Sequence, residues 1–296
     1  LRGSGAIVHV IEAKQPGQAV DPQDVEDFFT GYNATSTAST RIAAIFMTHV
    51  DTSTGVRLDV ESIIKKAKRC NEDILAVVDG VCATAGERFE MAEWDADVYL
   101  TASQKAIGVP AGFGLLVASP HALEVREHVR TYVPQIIDWK IWRPRMQALE
   151  VGNGAYFATF PTHMLAALAT GLQEITDFGI DERFALHARV GRAMRETWRA
   201  LGLNPVADAA VASNLLSPLY VPQSIIDAGR TGADLQAAIL RNGLITAGGF
   251  PLPNVHPYFR IAHMGYMATQ PDMLAAVVRA IEGGLREMGF QLNGQP

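Results

Sequence analysis

The sequence predicts an α/β protein with a mixed, mostly parallel sheet covered by helices, followed by a smaller unit of α+β type. Two observations lead to this fold class. In the first 180 residues, near-continuous apolar runs of strand length alternate with amphipathic helices, which is typical of a sheet buried on both faces. After about residue 160 the helices become long and only short strands separate them. We therefore expect a large domain over residues 1–179 and a small C-terminal domain over residues 180–296.

Hydrophobic periodicity places the elements along the chain. The elements expected in the large domain are strands at 6–13, 41–50, 73–79, 97–103 and 113–119 and helices at 21–32, 59–70 and 162–179. Those expected in the small domain are helices at 181–203, 232–243 and 270–288 and strands at 214–221 and 258–263. The first helix has the clearest start, because Asp21 is a capping residue and Pro22 suits the first helical position.

Composition excludes several classes of function. The chain has 48% hydrophobic and 19% charged residues, which is ordinary for a globular enzyme. A net charge of −6 with scattered basic residues argues against a nucleic-acid partner. No apolar run approaches the ~20 residues of a membrane helix, and no signal peptide is expected. The two cysteines, Cys70 and Cys82, are too few for a disulfide framework and fit a reducing compartment.

Three loops that follow predicted strands contain polar or small residues. They are "THVDTSTG" (48–55), "DGVCATAG" (79–86) and "SQKAIG" (103–108). Ligands of α/β sheets bind at the carboxyl ends of the strands, so these loops are expected to converge on one site.

Lys105, Asp79 and Arg260 are the residues in these and later segments that suggest chemistry. A partly desolvated lysine can lose its proton and form an imine with an aldehyde. Asp79 follows the apolar run "ILAVV", where an unpaired carboxylate is costly to bury. The guanidinium of Arg260, in "YFRIAH", can bind a carboxylate with two parallel hydrogen bonds. A loop lysine on the surface, a strand-end aspartate and a salt-bridged arginine are the alternative interpretations.

The motifs "THVDTSTGV", "VVDGVCA", "DVYLTASQKAIGVPAG", "YFATFP" and "FRIAHMG" occur in an order and spacing that resemble one family across essentially the whole chain. This family is the class V aminotransferases, pyridoxal-phosphate enzymes of fold type I, and the resemblance to the alanine–glyoxylate and serine–pyruvate aminotransferase branch is close. The resemblance implies that Lys105 holds pyridoxal phosphate and moves the substrate's Cα proton. It also implies that Asp79 pairs with the pyridine nitrogen and that Val81 packs against one face of the ring.

The resemblance assigns roles to further residues. Thr52 would lie near the ring oxygen or the phosphate, although a simple turn role is an equal alternative. Gln104 would lie near the phosphate, and Arg260 would bind the substrate carboxylate. Tyr156 and Thr159 would reach the cofactor phosphate of a partner subunit, which implies a homodimer. His263 could approach the substrate, and none of the eight histidines has metal-ligand spacing, so no metal is expected.

The chain departs from the family at its amino end, where family members are about a hundred residues longer. The part that is not present carries the phosphate-binding turn and the aromatic residue that stacks on the pyridine ring. "RGSG" (2–5) precedes a predicted strand rather than a helix, so it is interpreted as an ordinary connection. The cytoplasm is the expected compartment, with the peroxisome and the mitochondrion as alternatives.

The resemblance predicts transfer of an amino group from a small amino acid, alanine or serine, to a 2-oxo acid, glyoxylate or pyruvate. The mechanism would be ping-pong, through pyridoxamine phosphate. Three alternatives stay open: a cysteine desulfurase-like lyase, an aminoethylphosphonate transaminase, and a non-catalytic fragment that acts as a dimerisation partner. The lyase would need a mobile nucleophilic cysteine, and neither Cys70 nor Cys82 is clearly placed on a flexible loop.

Overall fold

A computed structural model describes residues 2–35, 41–154, 156–251 and 255–292 of the chain. Its α-helices are α1 Pro22–Thr35, α2 Val60–Cys70, α3 Pro120–His128, α4 Trp139–Glu150, α5 Thr162–Phe178, α6 Ile180–Ala200, α7 Gln223–Asp227, α8 Gly232–Arg241 and α9 Pro271–Glu287. Its strands are β1 Ala44–Thr48, β2 Leu75–Asp79, β3 Val98–Ala102, β4 Gly114–Ala118, β5 Leu216–Tyr220, β6 Ala247–Gly248 and β7 Tyr258–Ala262. Short 3₁₀ turns lie at Arg2–Ser4, Gln135–Ile137 and Gly265–Thr269.

The first sheet has four strands in the order β1-β2-β3-β4. The pairs β1–β2 and β2–β3 are parallel, and β4 runs antiparallel to β3. The register places Phe46 beside Val77 and Val77 beside Val98. This mixed, mostly parallel sheet confirms the predicted fold class.

Helices α1 and α2 cover one face of this sheet and form its core with it. Ile64 of α2 and Val78 of β2 are fully buried there, as is Ile74 just before β2. Helix α2 begins at a defined point because the Asp59 side chain accepts a hydrogen bond from the Ser62 N–H at 3.1 Å.

The second sheet is antiparallel, in the order β5-β7-β6. Its core contains Trp198 of α6, Phe259 of β7 and Ile281 of α9, each at most 1% exposed. Gly179 separates α5 from α6 with a φ of +88°, a conformation that glycine adopts without strain. The predicted domain boundary falls at this residue, and the division into two domains stays a prediction.

The predicted strand at 6–13 is wrong, because this segment has neither helical nor strand structure. Among its described apolar side chains, only Ile11 packs against the core of the first sheet, whereas Ile7 is 85% exposed and Val10 is 60% exposed. A strand is stable only beside a pairing strand, and the part of the chain that the structure describes offers none here. Arg2–Ser4 of the "RGSG" stretch form a 3₁₀ turn before this irregular segment. None of the helices in the described ranges is long and apolar enough to cross a membrane.

Candidate active site

The three loops identified in the sequence leave the same edge of the first sheet. Thr48 at the end of β1 lies beside Asp79 at the end of β2, and Asp79 lies beside Leu100 of β3. Backbone hydrogen bonds continue this pairing just beyond the strands, from the His49 N–H to the Asp79 carbonyl and from the Gly80 N–H to the Leu100 carbonyl, both 2.8 Å. The loops that carry Thr52, Asp79 and Lys105 therefore start from adjacent strand ends.

Lys105 is half-buried in a loop with a fixed backbone. The Ser103 hydroxyl donates to the Pro110 carbonyl at 2.7 Å, and the Gly108 N–H donates to the Lys105 carbonyl at 3.0 Å. Ser103 is fully buried, so its hydroxyl holds the loop and is not free for a ligand.

The Lys105 ammonium differs from most other lysines of the chain. Four lysines form ion pairs with carboxylates, namely Lys65, Lys66, Lys68 and Lys140. Within the described ranges, Lys105 Nζ has neither a hydrogen bond nor an ion pair, although the side chain is half-buried. Its amine is therefore available to a ligand.

Asp79 supplies a carboxylate without a positive partner. Its Oδ1 accepts the Val81 N–H at 2.9 Å, and among the described residues no cation contacts it. The neighbouring Tyr99 has its pKa raised to about 12 by burial, with a smaller contribution from the negative charge of Asp79. Val81 is half-buried and packs against the cluster that contains Cys82.

Arg260 joins the second sheet to this edge of the first. Its Nε donates to the Gly248 carbonyl at 2.9 Å, and its Nη1 donates to the Thr52 carbonyl and hydroxyl at 3.2 and 3.4 Å. The guanidinium carbon lies 4.3 Å from the centre of the Phe250 ring, so the cation also rests on an aromatic face. No carboxylate of the described chain pairs with Arg260, which leaves the remaining N–H groups free for an anion.

The contacts of Thr52 do not support a simple turn role, and its predicted contact with the cofactor stays a prediction. Asp51, not Thr52, closes the turn, because its carboxylate accepts hydrogen bonds from Ser53 and Thr54. Thr52 instead contacts the guanidinium of Arg260. Its carbonyl and hydroxyl therefore orient the arginine predicted to bind the substrate.

The residues expected near the phosphate are at the surface. Gln104 is exposed, and Tyr156 is 82% exposed, with its hydroxyl 2.8 Å from that of Thr159. In a single chain Tyr156 and Thr159 are thus free to contact another molecule.

His263 has a structural environment. It is fully buried, and its Nε2 lies 2.9 Å from the Ser217 hydroxyl. Burial, with nearby Arg195 as a smaller cause, lowers its pKa to about 3. His263 follows the last residue of β7, and its full burial and its contact with Ser217 do not support an approach to the substrate.

The sequence analysis missed Arg183 and His187 of α6. Arg183 is 6% exposed and donates to the Ala106 carbonyl at 2.6 Å, next to Lys105 in the chain. His187, one turn later, is fully buried. The sequence did contain one indication of them. Arg183 and His187 are spaced four residues apart on the face of α6 that also contains Gly191 and Met194 and is buried.

The arrangement fits pyridoxal phosphate. Considering the described residues, it contains an unpaired amine for the cofactor aldehyde, in Lys105, and a carboxylate without a counter-ion for the pyridine nitrogen, in Asp79. It also contains a free guanidinium, in Arg260, for the carboxylate of an amino acid. Asp79 and Lys105 lie in loops that leave adjacent strand ends, and Arg260 reaches the same edge through Thr52.

Comparison with known proteins gives the family. The family model for class-V aminotransferases matches residues 4–143. Alanine–glyoxylate aminotransferase 1 of Saccharomyces cerevisiae is 31% identical over 283 residues, which cover 92% of this chain and 68% of that protein. Serine–glyoxylate aminotransferase of Arabidopsis thaliana is 29% identical over 251 residues, 84% of this chain and 59% of the relative. The chain thus spans about three fifths to two thirds of the length of these relatives.

Solved structures support the same fold. Ureidoglycine–glyoxylate aminotransferase from Bacillus subtilis superposes with a TM-score of 0.83 at 22% identity, over 99% of this chain and 70% of the other. Pyridoxamine–pyruvate aminotransferase from Mesorhizobium loti gives a TM-score of 0.80 at 23% identity, over 93% and 66% of the two chains. These likenesses confirm the predicted fold type I, and the sequence matches confirm the resemblance drawn from the motifs. The chain belongs to the class-V aminotransferases, a family whose cofactor is pyridoxal phosphate.

Proposed function

We propose that this protein transfers an amino group between a small amino acid, alanine or serine, and a 2-oxo acid, glyoxylate or pyruvate, in two half-reactions. The observation that carries the proposal is the contact between Arg260 and Thr52. This contact brings a guanidinium that has no carboxylate partner among the described residues to the sheet edge from which the Asp79 and Lys105 loops leave. The names of two relatives, alanine–glyoxylate and serine–glyoxylate aminotransferase, support the choice of substrates.

The cofactor, when bound, supplies an aldehyde and a ring that accepts electrons from the substrate Cα. Lys105 would hold the cofactor through its Nζ and then act as the base that takes and returns the Cα proton. Asp79 would keep the pyridine nitrogen protonated, because its carboxylate has no other cation within the described chain. Val81, next to Asp79 in the turn, is proposed to pack against the ring.

Arg260 would bind the carboxylate that amino acids and 2-oxo acids share. The Nε bond to Gly248 and the Nη1 bonds to Thr52 hold the guanidinium plane. A fixed plane lets the remaining N–H groups form parallel bonds to a carboxylate with little loss of side-chain freedom. Since both substrates carry this group, one arginine serves both half-reactions.

We also propose a homodimer in which Tyr156 and Thr159 contact the partner's phosphate, with Gln104 near the phosphate of its own site. Helix α4 supports a covering partner because it buries none of its side chains within the described chain. The exposed apolar side chains around it include Ile136, Ile137, Met146, Leu149, Val151 and Phe160. Several exposed apolar side chains in neighbouring segments indicate an interaction surface, whereas single scattered ones need no explanation. Sedimentation equilibrium should give a dimer mass, and a monomer at all concentrations would contradict this assembly.

The two cysteines bear on the compartment and on the lyase alternative. Cys70 and Cys82 are both free, which supports the cytoplasm as the proposed location. Cys82 is only 6% exposed, and Cys70 is the last residue of α2. Neither supports a mobile nucleophile, so transamination is preferred over a desulfurase-like reaction.

Cofactor capture tests the proposal. Pyridoxal phosphate added to the purified chain should give a visible absorption band, and borohydride reduction should fix the cofactor to the peptide that contains Lys105. The Lys105→Ala variant should lose both signals, whereas Lys14→Ala, at an exposed lysine, should keep them. A chain that takes up no cofactor would be a non-catalytic fragment. Assays with alanine, serine and aminoethylphosphonate as amino donors, each against glyoxylate and pyruvate, would then identify the substrates.

A further inference from the structure

Helix α6 makes a buried polar connection among three separate loops. Its Arg183 and His187 are respectively 6% and 0% exposed, and neither belongs to the groups proposed to contact cofactor or substrate. Their hydrogen bonds reach Ala85, Ala106 and Gly265.

Arg183 links the loop after Asp79 to the loop of Lys105. Its Nε donates to the Ala85 carbonyl at 2.9 Å, and its Nη2 donates to the Ala106 carbonyl at 2.6 Å. Burial lowers the pKa of the guanidinium, and no carboxylate in the described part of the chain forms an ion pair with it. A cation buried without a counter-ion has a high desolvation cost. The hydrogen bonds of Arg183 to the two carbonyls offset part of this cost.

Ala85 has a backbone conformation that needs support. Its φ is +63°, a left-handed value that is unfavourable for a residue with a Cβ. The Arg183 bond to its carbonyl stabilises this conformation. Ala85 lies in the turn that begins with Gly80, directly after Asp79, where the Ala83 and Thr84 N–H groups donate to the Gly80 carbonyl.

His187 extends the connection to the segment after β7. Its Nε2 accepts the Gly265 N–H at 3.1 Å, which leaves Nδ1 protonated to donate to the Arg183 carbonyl at 2.8 Å. Burial lowers the pKa of His187, which keeps this neutral tautomer. Gly265 has a φ of +66°, and a Cβ there would lie 3.3 Å from the Ala106 carbonyl oxygen. The loop of Lys105 and the segment after Arg260 are thus in close contact at this point.

We propose that Arg183 and His187 are positioning residues that hold the Lys105 loop, the turn after Asp79 and the end of the Arg260 strand in one arrangement. This role rests on the proposed function, because it concerns how the amine, carboxylate and guanidinium are placed for the reaction. Arg183 acts on Lys105 through the adjacent carbonyl of Ala106.

The test compares Arg183→Met with a matched variant on the same helix. Arg195 is also a partly buried arginine of α6, and it donates to the Ser213 carbonyl at 2.8 Å and to the Asn214 side chain at 3.4 Å. Arg195→Met therefore removes a similar set of bonds without touching the Lys105 loop. In the full chain, Arg183→Met should weaken pyridoxal-phosphate binding by at least ~10-fold and move the pH midpoint of the visible band, while Arg195→Met changes neither.

A second measurement needs no cofactor. Endoproteinase Lys-C cuts after lysine, so cleavage after Lys105 reports local opening of its loop, with the exposed Lys14 as an internal reference. Cleavage at Lys105 relative to Lys14 should rise by at least ~10-fold in Arg183→Met and stay unchanged in Arg195→Met. If Arg183→Met does not fold, Arg183→Lys takes its place in both measurements. Arg183→Ala leaves space for a free guanidinium ion, so millimolar guanidinium should restore slow cleavage after Lys105 in this variant.

The outcomes separate the two proposals. An unaltered chain that binds no pyridoxal phosphate would overturn the proposed function. Equal Lys105 cleavage rates in the unaltered chain and in Arg183→Met, or equal effects of Arg183→Met and Arg195→Met, would overturn the positioning role.

Discussion

Replacing Arg260 by methionine should remove most of the preference for substrates that carry a carboxylate. The guanidinium is already oriented by the Gly248 carbonyl, by Thr52 and by the Phe250 ring, and no carboxylate of the described chain competes for it. A substrate carboxylate therefore gains two charge-assisted bonds to a preorganised partner. Truncating one member of such a pair costs about 2–4 kcal/mol, within the range measured for hydrogen-bonded charge pairs.

This energy corresponds to about a 30- to 700-fold loss in kcat/KM, at about 1.4 kcal/mol for each factor of ten. Lysine keeps the charge but not the planar fork, so Arg260→Lys should lose about 1–2 kcal/mol, or about 5- to 30-fold. The lost contacts to Gly248 and Thr52 should also lower the free energy of unfolding by about 1–2 kcal/mol. Urea unfolding of each variant therefore accompanies the kinetics.

The assay compares alanine with ethylamine, which lacks the carboxylate but has the same amine. The ratio of the two kcat/KM values isolates the carboxylate contribution from any general damage to the site. This ratio should collapse in Arg260→Met and stay unchanged in Arg241→Met, a variant at an exposed arginine paired with Glu287. An unchanged alanine-to-ethylamine ratio in Arg260→Met would remove Arg260 from the substrate site.

Three further predictions concern the cofactor, acid stability and packing. Asp79→Asn should bind the cofactor but lower kcat by at least ~100-fold, because a neutral amide does not keep the pyridine nitrogen protonated; a wild-type kcat would refute the pairing. Burial and a nearby guanidinium lower the pKa of His49 from 6.5 to about 4. The unfolded chain therefore binds more protons between these values, so stability is full above pH 6.5 and falls by up to about 3 kcal/mol toward pH 4. In urea unfolding, the free energy of unfolding should decrease less from pH 7 to pH 4.5 in His49→Leu than in the unaltered chain. An equal decrease would exclude His49 as the cause. A Cβ at Gly86 would overlap the Leu215 side chain, so Gly86→Ala should cost about 1–3 kcal/mol, whereas Gly31→Ala, with open space in α1, should be neutral or stabilising in the same assay.

The loops of the site were predictable because they depend on local sequence. Apolar runs gave β1, β2 and β3, and parallel pairing brings their carboxyl ends to one edge whatever the rest of the chain does. Thr52, Asp79 and Lys105 follow these strands within a few residues, so their common location needed no knowledge of distant contacts. Their roles were implied by the family resemblance, and the structure adds their surroundings.

The features that the sequence did not predict depend on partners far along the chain. Arg183 donates to the carbonyl of Ala106, 77 residues away. Because every residue has a backbone carbonyl, the residue type of the acceptor gives no indication of this bond. The segment 6–13 has the apolar content of a strand but no adjacent strand in the described chain, and pairing cannot be read from one segment alone. The burial of His263 and its contact with Ser217 also depend on a partner 46 residues away in the chain.

The pattern of unpaired charges gives the strongest physical reason for a ligand at this edge. Many charges elsewhere in the described chain are paired, as Lys68 is with the buried Asp97 at 2.9 Å, and the buried Arg183 is compensated by bonds to two backbone carbonyls. Lys105, Asp79 and Arg260 are half-buried at the same edge, and none has an opposite charge as a partner in the described ranges. Leaving partly desolvated charges unpaired costs stability, and stability alone would favour a salt bridge between such neighbours. A ligand with an aldehyde, a basic ring nitrogen and a bound carboxylate would engage all three groups, so the arrangement is explained by a cofactor and substrate rather than by folding.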